Sequence, residues 1–96
     1  MNNTEQLINH LIKIRKKYDL FSIERCAADT EVSSQTVRNF ENRVATNTDV
    51  VLYYISNILW GLEHDEFFLA NKAGVHENEV KADRQNTIFW LMMSFK

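Results

Sequence analysis

The chain has no proline and only two glycines, Gly61 and Gly74, among its 96 residues. A turn-rich all-β fold needs both residue types at its corners, so their scarcity favours helices joined by short connections. Cysteine is nearly absent too. Cys26 stands alone, which excludes an internal disulfide, and no Cys/His cluster has zinc spacing. No apolar run approaches the ~20 residues that a membrane span requires. The opening residues, MNNTEQLINH, lack a basic start followed by an apolar run, so they do not read as a signal peptide. A reducing cytosol is the expected setting. No Ser/His/Asp set, glycine-rich phosphate loop or carboxylate pair occurs at telling spacing, so neither catalysis nor a cofactor or metal is expected.

What is present is ordinary globular material. Apolar residues make up 45% and charged residues 25% of the chain, enough for one small core. The net charge of −2 does not advertise a nucleic-acid binder. It is unevenly spread, however: residues 1–48 carry a balance of +1 and residues 49–96 one of −3. Lys13, Arg15, Lys16 and Lys17 fall in the first half, and a local patch counts for more than the total.

Periodicity predicts helices throughout. Leu7, Ile8, Leu11 and Ile14 mark a first helix over about Thr4–Tyr18, with Thr4 as a candidate cap. Ser22 opens a short second helix ending near Thr30, with Ile23, Cys26 and Ala27 inward. Ser33 opens a third, with Val37, Phe40 and Val44 inward. RVATNT reads as a loop. Thr48 caps a fourth helix whose apolar face is Val51, Leu52, Ile55, Ile58 and Leu59, stopping at Gly61. A fifth, over His64–Lys72, is expected to bury Phe67, Phe68 and Leu69 before Gly74. In the last segment Val80, Thr87, Ile88, Leu91, Met92 and Phe95 form a helical stripe. The run from Ile88 to Met93 also fits a buried strand, but the helical character of everything upstream favours helix.

Residues 31–42 read EVSSQTVRNFEN. Two short helices separated by only three or four residues, the second beginning with small polar side chains, make a helix-turn-helix arrangement. One side of such a second helix packs on the domain through Val37 and Phe40. The other can enter a groove ~12 Å wide lined with donors and acceptors.

The stretch FSIERCAADTEVSSQTVRNFEN resembles the helix-turn-helix of the Xre, or lambda-Cro/CI-like, repressor family. Phe21, Ser22, Glu24, Cys26-Ala27, Val32-Ser33, Thr36-Val37 and Glu41-Asn42 stand in the family's register. LIKIR before it and YYISNILW and DEFF after it extend the likeness over about residues 7–69. The N-terminal domains of Rgg/MutR-type regulators are similar as well. The chain departs from the pattern where Glu31 and Arg43 replace glycines and Ile23 replaces a polar residue.

The resemblance implies an all-α, five-helix lambda-repressor-like domain over residues 1–74. Residues 75–96 then form a C-terminal helix that dimerises or closes the core. It implies a regulator of transcription, acting as a repressor on double-stranded DNA, with residues 33–43 in the major groove. Ser33 would cap that helix. Ser34 and Gln35 would meet bases, Arg38 a guanine or a phosphate, Asn39 a neighbouring base or phosphate, and Thr36, Arg43, Thr46 and Asn47 phosphates. Arg15 and Glu41 would form a partly buried ion pair behind it. A homodimer would use Ile88, Leu91, Met92 and Phe95. A protein-interaction module of the same fold, such as an antitoxin or a phage accessory factor, is the alternative.

Overall fold

A computed structural model describes residues 2–95, which form six α-helices and no strand. They are α1 (Asn3–Tyr18), α2 (Ile23–Thr30), α3 (Ser34–Glu41), α4 (Thr48–His64), α5 (Glu66–Ala73) and α6 (Glu77–Ser94). The first helix starts one residue earlier than periodicity suggests. Asn2, not Thr4, is its cap, with the amide oxygen accepting the Glu5 N–H at 2.8 Å. Likewise Asn47 rather than Thr48 caps α4, accepting from Val50 N–H at 3.1 Å. In both places a capping side chain one or two positions upstream satisfies the free N–H groups first.

The core joins one face of every helix. Leu7, Leu11, Ile14 and Tyr18 from α1 meet Cys26, Val37, Phe40, Val50, Tyr54, Ile58, Leu62, Leu69 and Val80. Four expectations are corrected here. The buried side of α4 is Val50, Tyr54, Ile58 and Leu62, while Leu52 is exposed. An unbroken apolar run left that phase open, and packing chose it. Gly61 does not stop α4. It lies buried within the helix, where an added Cβ would sit 3.2 Å from Leu20 Cδ2, so its role is close approach. Val44 is exposed, in the loop after α3. Phe67 and Phe68 are exposed; of the three side chains expected inside α5 only Leu69 is buried, with Ala70 beside it. Gly74 does end α5, at φ 69°.

The last helix lies against α1, α4 and α5. Its expected stripe divides. Val80 and Thr87 are buried, and Trp90 and Leu91 pack half-buried against the core. Ile88, Phe89, Met92 and Phe95 remain exposed. Polar contacts add to this seam. Asp83 Oδ2 accepts from Tyr18 Oη and from Lys17 Nζ at 2.7 Å, and Lys17 also pairs with Glu79. At the far end, Asn3 Nδ2 donates to the Met93 carbonyl at 3.3 Å. None of the helices in the described residues is long and apolar enough to cross a membrane.

Candidate nucleic-acid interface

Three residues connect α2 to α3, and their geometry is set locally. Thr30 hydroxyl donates to the Cys26 carbonyl at 2.7 Å, closing the last turn of α2. Glu31 then adopts the left-handed conformation, φ 59° and ψ 39°. Its own N–H and that of Val32 return to the carbonyls of Ala28 and Ala27. Val32 packs on the core just before the Ser33 cap, five residues ahead of Val37 on α3. Ser33 Oγ accepts the Thr36 N–H at 3.1 Å and shares a hydrogen bond with the Thr36 hydroxyl. One of the four free N–H groups at the helix start is thereby satisfied, and its entry angle is held by apolar contact.

From behind, α3 is clamped. Val37 and Phe40 are fully buried, Phe40 edge-on to Tyr54 with ring centroids 4.9 Å apart. Glu41 turns inward and receives two hydrogen bonds from Arg15, from Nη2 at 2.9 Å and from Nε at 2.5 Å. The Tyr54 hydroxyl donates to the same carboxylate at 2.6 Å, and Arg15 Nη1 donates to the Phe21 carbonyl at 3.0 Å. Burial disfavours the Arg15 charge, but the Glu41 hydrogen bonds and charge outweigh it, so its proton is held more tightly. Burial, with Glu41 beside it, raises the Tyr54 phenol. This clamp joins α1, α3 and α4 at one carboxylate. Tyr54 was not foreseen as part of it. The double tyrosine YY gave no sign of which ring would turn inward.

The outward side carries the polar residues. Ser33, Gln35 and Arg38 are exposed, and Ser34, Thr36 and Asn39 are half-exposed. Gln35 Nε2 donates to Asn39 Oδ1 at 2.9 Å, one helical turn on. Arg38 Nη2 donates to Glu24 Oε2 of α2 at 3.0 Å. After α3 the chain turns through Arg43, also left-handed at φ 62°, with Val44 N–H returning to the Asn39 carbonyl at 2.8 Å. Arg43 and Thr46 are exposed on this loop. Asn47 spends its side-chain oxygen on capping α4. Of the nine residues expected to meet DNA, Ser33, Gln35, Arg38, Arg43 and Thr46 are exposed and Ser34, Thr36, Asn39 and Asn47 half-exposed, on α3, its cap and the loop that follows.

The electrostatics of this face are mixed. Arg25 pairs with Asp29 at 3.0 Å and Arg38 with Glu24, both on exposed surface. Glu31 is exposed between them in sequence. The Tyr53 hydroxyl also donates to Asp29, at 2.8 Å; burial and that carboxylate push its phenol up to about 12. Of the basic cluster, Lys13 and Lys16 are exposed, whereas Lys17 is held by Glu79 and Asp83 on α6. Cys26 is fully buried, and burial pushes its thiol up to about 11, so it stays protonated at neutral pH. No group of three or more His, Cys, Asp or Glu among the described residues could hold a metal ion. No protein-family model, curated protein or solved structure matches the chain.

Proposed function

We propose that the protein is a sequence-specific DNA-binding regulator of transcription, a lambda-repressor-like helix-turn-helix domain that represses by occupying an operator in the cytoplasm. The observation that carries this reading is the two-sidedness of α3. Its inner side is fixed by Val37, Phe40 and the Arg15–Glu41–Tyr54 clamp, and its outer side offers Gln35 and Arg38 to solvent. An α-helix with its side chains is about 10–12 Å across, which suits the ~12 Å width of the major groove. Gln35 can accept and donate at adenine, and Arg38 can donate to the O6 and N7 acceptors of guanine. The Arg38–Glu24 pair is exposed on both sides and worth little, so exchanging Glu24 for a base edge is affordable. Residues 75–95 then supply the contact between two copies, through Ile88, Met92, Phe95 and the rim of Leu91.

The test is selection of bound duplexes from a random library, followed by binding of the recovered sequence. Arg38→Ala is expected to weaken that binding by roughly 1–3 kcal/mol and relax preference at one position. An unchanged affinity removes Arg38 from the reading. Affinity is also expected to fall steeply as salt rises.

The second reading, a protein-interaction module on the same scaffold, is favoured by one specific feature. Glu24 and Asp29 on α2 and Glu31 in the turn before α3 are exposed carboxylates, which disfavour phosphate. Passage over random DNA at low salt separates the two: a DNA binder is retained and elutes as salt rises, and an interaction module flows through.

A further inference from the structure

We infer that the corner where α4 meets α5 is a docking surface for a basic, aliphatic-rich segment of another protein. Three aromatic side chains stand exposed there within nine residues: Trp60 at 59%, Phe67 at 70% and Phe68 at 63%. Helical spacing puts Trp60, Glu63 and His64 on one face of α4, and the indole lies against the His64 ring with centroids 4.7 Å apart. Only Asp65 and Glu66 separate His64 from the two phenylalanines. At ~200 Å² for a full aromatic side chain, the three rings together expose roughly 400 Å² of apolar surface.

Charge decides the occupant. Glu63 and Asp65 are exposed and enter no ion pair among the described residues, whereas Lys72, which lies 5.9 Å from the Phe68 ring, and Lys81 are paired with Asp19 and Glu66. A second copy docked here across a two-fold axis would set these carboxylates against their own equivalents. A duplex would meet the same repulsion. A segment bearing Lys or Arg beside Leu, Ile or Met would neutralise the carboxylates while the rings fill as anchors. The outer stripe of α6 is a different kind of surface, with no charged residue from Gln85 to Phe95. Lys81 reaches Glu66 at 3.6 Å, and the stripe runs from about 10 Å (Ile88) to about 21 Å (Phe95) further along α6 at 1.5 Å per residue.

The experiment is selection of peptides from a random display library on the intact protein, with a Trp60→Ala/Phe68→Ala variant as counter-target. Enriched peptides are expected to combine Lys or Arg with aliphatic residues. They should lose at least about tenfold in affinity for the counter-target and for Glu63→Lys/Asp65→Lys, a loss typical of anchor positions. Added salt should weaken them, and Met92→Lys should not. All the replaced corner side chains are exposed, so thermal unfolding should stay as in the parent, and that is measured alongside. Failure to enrich over the counter-target, or enrichment of acidic peptides, overturns the proposal. So does a homo-oligomer that dissociates on Trp60→Ala, because the corner is then a self-contact. Operator binding has no bearing on this result, so the two readings fail separately.

Discussion

Glu31 and Arg43 hold φ of 59° and 62°, where a Cβ crowds the following carbonyl. Glycine adopts this conformation freely, and both positions end a helix where the chain must reverse. Glu31→Gly is therefore expected to stabilise the protein by about 1 kcal/mol, with a similar gain for Arg43→Gly. Chemical denaturation measures it, and a loss of stability in both would show that these side chains repay the strain. The Glu41 carboxylate behaves in the opposite sense. It is almost fully enclosed and answers two partners, so Glu41→Gln strands the Arg15 charge. A loss of about 3–5 kcal/mol is expected. Replacing the whole group by Arg15→Met, Glu41→Leu and Tyr54→Phe should recover most of it, since no buried charge is then left unpaired. If the triple variant is no better than the single one, the clamp contributes through packing rather than charge.

At the scale of elements, the seam between α1 and α6 contains a titratable contact. His10 Nε2 lies 2.7 Å from Thr87 Oγ1, and that hydroxyl donates to the Asp83 carbonyl. The imidazole must then be the donor to Thr87. Burial lowers the His10 value, the Asp83 charge works against this, and Lys13 adds to it. The unfolded chain thus takes up a proton at higher pH than the folded one. Stability is full above about pH 6.5, declines as pH falls toward the folded value, and stays reduced below it. His10→Gln keeps a donor but does not titrate. Melting temperature compared between pH 7.5 and 5.5 should fall less in that variant than in the parent. Equal falls would mean that the histidine is not the sensor.

For the whole molecule, the exposed outer stripe of α6 bears on assembly. Phe89 and Phe95 are 51% and 83% exposed. With ~200 Å² per full aromatic side chain they offer roughly 270 Å², and Ile88 and Met92 bring the apolar total to roughly 450 Å². A standard interface buries ~800 Å² per partner, somewhat over half of it apolar, so the stripe is sufficient for one. Sedimentation should show a concentration-dependent dimer that Met92→Lys or Phe89→Lys disperses without lowering the melting temperature. Dimerisation unaffected by both would move the contact elsewhere. On the proposed DNA-binding reading, the spacing of the two α3 helices in such a dimer would set the half-site separation.

Much of the architecture was legible before any coordinates. The scarcity of proline and glycine, the recurrence of Leu7, Leu11 and Ile14, and the serines at 22 and 33 are local signals, and a helix or a cap is a local event. The facing of Val37 and Phe40 inward and of Gln35 and Arg38 outward follows from the same 3.6-residue period. Where apolar residues run on without interruption, periodicity has no phase. Tertiary packing therefore decided that Val50, Tyr54 and Leu62 lie inside while Leu52 lies outside, and that Leu69 and Ala70 displace Phe67 and Phe68 from the core. Glu24 meeting Arg38, Tyr54 meeting Glu41 and Tyr18 meeting Asp83 join positions distant along the chain. Such pairings depend on how helices cross, which no single helix encodes by itself.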